Sequence, residues 1–68
     1  KFNIIFIDPP YRETKINKII NIIYEKKMLA QSGILIIHRH KKDDIKISNK
    51  LNILENRSYG ISKILFGN

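Results

Sequence analysis

The run Phe2-Asn3-Ile4-Ile5-Phe6-Ile7 passes without a break into Asp8-Pro9-Pro10-Tyr11, and this junction constrains the fold more than any other stretch. The run is nearly all apolar, with aromatic and β-branched residues, as expected of a strand covered on both faces. Proline has no amide hydrogen for a ladder, so Pro9 and Pro10 end that strand. A helical pattern starts a few residues later. In open α/β sheets the carboxyl end of a strand faces the ligand crevice. Chemistry is therefore expected at Asp8 to Tyr11.

Downstream, Thr14 is placed to cap a helix through its hydroxyl. Ile16, Ile19, Ile20 and Ile23 fall at helical spacing on one side, with Lys15, Asn17, Lys18 and Asn21 on the other. Lys26 and Lys27 suit the negative end of the helix dipole. Gly33 is expected to close the helix in a left-handed turn and to lead into a second buried strand, Ile34 to Ile37. Strand, helix and strand make a βαβ unit, so the two strands should run parallel. Asp43 to Lys50 reads as loop or one short helical turn. Leu51 to Arg57 and Ile61 to Phe66 flank Ser58-Tyr59-Gly60, which reads as a β-hairpin. The expected fold class is α/β: two parallel strands, a covering helix and a terminal hairpin, half of a three-layer sheet.

At 68 residues the chain is at most one small domain with little reserve of stability. It contains no cysteine, which rules out disulfides and thiolate metal sites and leans towards a cytoplasmic setting. No apolar run reaches the roughly 18 residues of a bilayer span, and no signal peptide is visible. The chain enters straight from Lys1 into a strand, as a segment cut from a longer protein would. Its formal net charge is +7, from 13 Lys+Arg against 6 Asp+Glu. That balance favours a polyanionic partner, nucleic acid first and anionic membrane second. An isoleucine-, lysine- and asparagine-rich composition also fits an AT-rich coding bias, so charge alone is weak evidence.

Asp8-Pro9-Pro10-Tyr11 carries a specific chemistry. The prolines push Asp8 towards extended geometry and remove competing donors. The Asp8 carboxylate and the carbonyls of Asp8 and Pro9 then form an acceptor-only rim, suited to a nitrogen bearing two hydrogens. Tyr11 adds a face on which a flipped-out base can stack, worth ~1–3 kcal/mol. Such acceptors favour a pyramidal amine and stabilise the positive charge that develops on it during methyl transfer.

The Asp-Pro-Pro-Tyr sequence after an apolar strand resembles motif IV of the S-adenosylmethionine-dependent amino-methyltransferases. One family fits best, the bacterial 16S ribosomal RNA guanine-N2 methyltransferases. Phe2 to Tyr11 resembles their fourth strand and catalytic loop, and Gly33-Ile34-Leu35-Ile36-Ile37 is similar to their fifth strand. Arg57-Ser58-Tyr59-Gly60 with alternating Ser62, Ile64 and Phe66 looks like their closing hairpin. The resemblance covers nearly the whole chain, as the C-terminal third of such an enzyme with a Rossmann-like class I fold. It implies that residues 1–68 are a partial domain whose cofactor-binding N-terminal half is absent. It also implies that Asp8, Pro9, Pro10 and Tyr11 position the guanine amine, that Asp8 reaches S-adenosylmethionine, and that small-subunit ribosomal RNA is the partner. The family usually has an acidic residue just after the fifth strand, where this chain has His38-Arg39-His40.

Plainer readings stand beside these. The Asp-Pro-Pro-Tyr stretch has the composition of an ordinary strand-ending turn. His38 and His40 share one face of a strand and have metal-ligand chemistry, but no third ligand is nearby, and a solvated basic edge fits as well. Arg12, Arg39, Lys41 and Lys42 are candidate phosphate contacts or a solvated strand exit. Tyr59 reads as substrate contact or as turn packing. An adenine-N6 methyltransferase shares the same acceptor chemistry, and a small basic nucleic-acid-binding module is the non-enzymatic alternative. An absent strand beside Phe2 to Ile7 would leave an unpaired edge prone to dimerisation or strand exchange.

Overall fold

The computed structural model describes residues 1–8, 13–40 and 46–68, with Glu13 and Thr14 described by backbone alone. The chain order is β1 (Phe2–Ile7), α1 (Glu13–Glu25), β2 (Leu29–His40), β3 (Ile53–Tyr59) and β4 (Ser62–Gly67). The four strands form one sheet in the order β1-β2-β4-β3. β1 and β2 are parallel, while β4 is antiparallel to both β2 and β3. The expected strand–helix–strand unit and terminal hairpin are both present.

Helix α1 forms because its isoleucines recur every three or four positions. Ile16 and Ile20 are fully buried and Ile23 nearly so. They pack on the sheet residues Ile7, Leu35, Ile37 and Leu65, with Leu51 completing the core. Burying each of these side chains contributes about 1.5–3 kcal/mol. The polar side of the helix also has structural work. The Asn17 side-chain amide donates to the Lys46 carbonyl at 2.8 Å, and its oxygen accepts from the Ser48 amide at 2.7 Å. These two bonds pin the segment before β3 and bring Ile47 and Leu51 against the core.

Four expectations are corrected. Thr14 lies inside helix α1 rather than at its cap, because the helical backbone begins at Glu13. Gly33 does not end the helix. Lys27 does, at φ 52°, with Lys27 N–H bonded to the Tyr24 carbonyl at 3.2 Å and Met28 N–H to the Ile23 carbonyl at 2.9 Å. That pair of bonds is the Schellman arrangement, in which the satisfied carbonyls offset the cost of a left-handed residue. The helix therefore stops early and β2 starts at Leu29.

Gly33 instead marks an irregularity in β2. Between the pairs Phe2↔Leu29 and Ile4↔Ile34, β1 advances two residues and β2 five. A Cβ on Gly33 would lie 2.8 Å from Leu29 Cδ1 and 3.0 Å from the Ala30 oxygen, so the folded-back strand leaves room only for hydrogen. The hairpin is likewise shifted. Tyr59 pairs with Ser62, and the turn is Gly60-Ile61 with Gly60 at φ 55°, the two-residue kind that prefers glycine first. Leu51 precedes the strand and belongs to the core.

The fourth correction concerns the faces of β1. It is not covered on both: Ile4 is 64% and Phe6 57% exposed. Alternation puts Ile5 and Ile7 towards α1 and Ile4 and Phe6 away from it. Among the described residues only α1 lies on the sheet, so the opposite face is open, and β1 is an edge strand.

Candidate active site

The parallel register of β1 and β2 runs through Phe6↔Ile36 and Ile7↔Ile37. The next residues are Asp8, just past the end of β1, and His38, still within β2, so the parallel register brings them side by side on the open face. His38 Nδ1 lies 2.9 Å from Asp8 Oδ1. A carboxylate only accepts, so this bond places a hydrogen on Nδ1 and leaves Nε2 as the other ring nitrogen. The Asp8 side chain is 61% exposed and that of His38 34%. Oδ1 of Asp8 is held by this contact, while Oδ2 has no partner among the described residues.

The same row continues across the sheet. His38 pairs with Ile64 on β4, and Ile64 pairs with Arg57 on β3. One step on, Ser62 links His40 with Tyr59. On β3 the Arg57 guanidinium contacts the Glu55 carboxylate at 2.8 Å and donates to the Tyr59 hydroxyl at 3.3 Å. These bonds, Tyr59 first and Glu55 second, hold Arg57 protonated even more firmly than usual. An open cleft of about 310 Å³ borders Asp8 along the edge of β1, walled by Phe6, Ile19, Ile22 and Met28. A larger one of about 590 Å³ lies at the other end of the sheet, where Lys1, Tyr24, Lys27 and Asn68 meet. It contains none of the candidate site residues.

Of the candidate site residues, Pro9, Pro10, Tyr11, Arg12 and Lys41 lie outside the described residues, as does Lys42. Asp8 stands at the carboxyl end of β1 as the strand reading requires. Arg39 falls on the helix-facing side of β2 and is only 7% exposed, away from the face that carries Asp8 and His38. Alternation from His38 puts it there. His38 and His40 share a face, and no group of three or more metal-ligating side chains occurs among the described residues. The partnership of His38 with Asp8 is the feature that reading the sequence missed. A signal existed: each is the first residue after one of the matched stretches Ile4 to Ile7 and Ile34 to Ile37, and parallel pairing aligns their ends. No helix among the described residues is long and apolar enough to cross a membrane.

The model of a protein family described as "Conserved hypothetical protein 95" matches residues 1–68. An uncharacterized methylase of Rickettsia prowazekii is 31% identical over 64 residues, covering 94% of this chain and 27% of the relative. The ribosomal RNA small subunit methyltransferase D of Buchnera aphidicola is 39% identical over 44 residues, 65% of this chain and 23% of the relative. The chain thus spans about a quarter of the length of the curated relatives it matches. Among solved structures, a conserved hypothetical protein of Streptococcus pyogenes superposes with TM-score 0.77 at 29% identity, over 100% of this chain and 44% of that one. A putative methyltransferase of Escherichia coli superposes with TM-score 0.74 at 18% identity, over 96% and 37%. These likenesses show the fold, a strand–helix–strand unit with a terminal hairpin from a Rossmann-like methyltransferase sheet.

Proposed function

The chain belongs to the family described as "Conserved hypothetical protein 95", and from that premise we propose that it is the C-terminal part of an S-adenosylmethionine-dependent RNA methyltransferase acting on the exocyclic N2 amine of a guanine in 16S ribosomal RNA. In this reading residues 1–68 are a partial catalytic domain, and the polypeptide carrying them works in the cytoplasm. The observation that carries it is the position of Asp8. Its carboxylate stands exposed at the carboxyl end of a parallel strand, with one oxygen held by His38 and the other without a partner among the described residues. The substrate class is supported by the resemblance of Asp8 to Tyr11 to the amino-methyltransferase motif and by the name of the Buchnera relative.

Asp8 would accept hydrogens from the guanine amine and hold its lone pair towards the methyl donor. As the nitrogen gains its fourth bond it becomes positive, and the nearby carboxylate stabilises that charge more than the neutral ground state. The surplus proton then leaves to the carboxylate or to solvent. Pro9 and Pro10 would add an acceptor rim without competing donors, and Tyr11 a stacking surface. Arg12 and Lys41 are proposed phosphate contacts. The cofactor, when bound, would supply an electrophilic methyl group, its methyl–sulfur bond breaking as the nitrogen–methyl bond forms and the sulfur leaving as a neutral thioether. Its fit to this chain is partial. Asp8 has the charge and placement to face a sulfonium, but Gly33, Gly60 and Gly67 serve a strand irregularity, a turn and a close approach to Leu51. None of the three belongs to a glycine-rich cofactor loop, so the rest of the cradle is assigned to sequence outside this chain.

The test uses the full-length polypeptide carrying this segment, with 16S ribosomal RNA and small subunits as substrates. Asp8→Ala should lower the single-turnover transfer rate at least about 100-fold with little change in RNA affinity; an unchanged rate rejects the role of Asp8. Replacing the target guanosine by inosine, which lacks the N2 amine, should abolish transfer. Methylation that persists on inosine-substituted RNA, or that appears on adenine N6, would select the adenine alternative instead. The isolated 68 residues should neither turn over nor bind the cofactor tightly by calorimetry.

A further inference from the structure

We infer that His38 is a positioning residue, which holds one oxygen of the Asp8 carboxylate so that the other meets the substrate amine; this rests on the reading of Asp8 given above. The two residues differ in how firmly the fold holds them. Asp8 follows an edge strand, and its carboxylate is 61% exposed. Left alone, such a side chain samples several rotamers, of which few place an oxygen where the amine will be. His38 lies on β2, a strand paired on both sides, and its backbone is in register with Ile64 of β4. Its imidazole is planar and about two-thirds covered, so it makes a stiffer anchor than a lysine or arginine would.

The 2.9 Å contact from Nδ1 to Oδ1 is specific in its consequences. It uses one carboxylate oxygen and restricts rotation of the group, leaving Oδ2 as the oxygen without a partner among the described residues. It also sets the imidazole tautomer. A hydrogen bond to an ionised group is shorter and stronger than a neutral one, and it costs nothing further when the substrate arrives. The plainer alternative is an exposed pair with no consequence, since surface ion pairs contribute little to stability. Rate and tautomer measurements separate the two, because an inconsequential pair moves neither.

The first arm needs no activity. Nitrogen-15 NMR of the histidine-labelled full-length polypeptide at about pH 8.5, above the ordinary imidazole range, should show His38 with its hydrogen on Nδ1. Asp8→Ala should shift it to the Nε2–H form that free imidazole prefers. An Nε2–H tautomer in the unaltered chain, or a tautomer indifferent to Asp8→Ala, overturns the inference. The second arm measures methyl transfer in the full-length polypeptide. His38→Ala should lower kcat about 10- to 100-fold and leave KM for RNA nearly unchanged. His38→Asn, whose side-chain amide has a donor near the Nδ1 position, should restore most of that loss. If Asp8→Ala abolishes transfer while His38→Ala does not slow it, the positioning role fails and the reading of Asp8 stands. If Asp8→Ala itself has no effect, the reading of Asp8 fails and the inference with it.

Discussion

The two faces of the sheet are made by the same strands from nearly the same residues, yet they have opposite fates. On one face Ile7, Leu35, Ile37 and Leu65 are buried beneath α1. On the other, Ile4, Phe6 and Ile34 are exposed to 64%, 57% and 37%. Strand alternation decides which residue points to which face; the number of layers decides whether that face is dry. The described chain supplies one helix, and one helix covers one face. The difference also governs where charge can work. Arg39, on the covered face, is sealed at 7% exposure, whereas Asp8 and His38, on the open face, keep a carboxylate oxygen within reach of solvent.

The comparison breaks first under truncation of the core. Leu35→Ala removes a fully buried side chain and should cost about 2–5 kcal/mol, enough to unfold most of a domain this small. Ile4→Thr, one strand away on the open face, should stay within about 0.5 kcal/mol. Urea midpoints of the two variants test the contrast; equal losses would mean that something covers the open face. A loss for Ile4→Thr that grows with protein concentration would identify a second copy pairing at the β1 edge, and sedimentation would then show a dimer.

The next largest effect sharpens how tightly the covered face is filled. A Cβ on Gly67 would lie 2.6 Å from Leu51 Cδ1 and 2.9 Å from the Asn52 oxygen. The second neighbour is backbone, tied by reciprocal Asn52–Asn68 hydrogen bonds of 3.0 Å, so it cannot simply rotate away. Gly67→Ala should therefore destabilise by about 1–3 kcal/mol, whereas Gly60→Ala meets no neighbouring atom and pays only for its left-handed φ. Thermal unfolding of both variants measures the difference.

How much of this was legible in the sequence follows from the range of the forces involved. The helix face was legible because three- and four-residue spacing of isoleucine is a local signal, and the strand–helix–strand order because apolar runs and prolines are local too. The place of Asp8 at the carboxyl end of β1 was legible for the same reason. The helix end was not, since Lys27 adopts a left-handed φ only because carbonyls of the preceding turn accept its amide and that of Met28. The glycine at 33 drew the boundary to itself, although its role is a close approach to Leu29. His38 was weighed as a metal ligand with His40, because i, i+2 spacing is visible in one dimension. Its partner is 30 positions away and emerges only from strand register. The roles of Asn17 and Leu51 depend in the same way on contacts across the fold.

Asn17 should show an intermediate effect. Asn17→Ala deletes both bonds to the Lys46–Ser48 backbone and should cost about 1–3 kcal/mol, at a net 0.5–1.5 kcal/mol per bond. Hydrogen exchange should accelerate at Ser48 and at Leu51, whose amide bonds to the Ser48 carbonyl at 3.2 Å. Uniform acceleration across the whole sheet would instead indicate global destabilisation.

The smallest effect is a pH dependence carried by Tyr24. Its hydroxyl donates to the Asn68 main-chain oxygen, and burial raises its pKa above the usual value of 10.0. The folded state therefore keeps the phenol proton at a pH where the unfolded chain has begun to lose it. The unfolded state then binds fewer protons, and stability falls as pH rises. The contribution is complete below about pH 10, the unfolded value, and is lost as pH climbs through the folded value. Tyr24→Phe should lower stability at pH 7 by about 1 kcal/mol, the net worth of one hydrogen bond. The same variant should flatten the decline between neutral and strongly alkaline pH. If the unaltered chain and Tyr24→Phe lose stability in parallel above pH 10, the slope belongs to the lysines, and the tyrosine serves only to dock the helix on the carboxyl end of the chain.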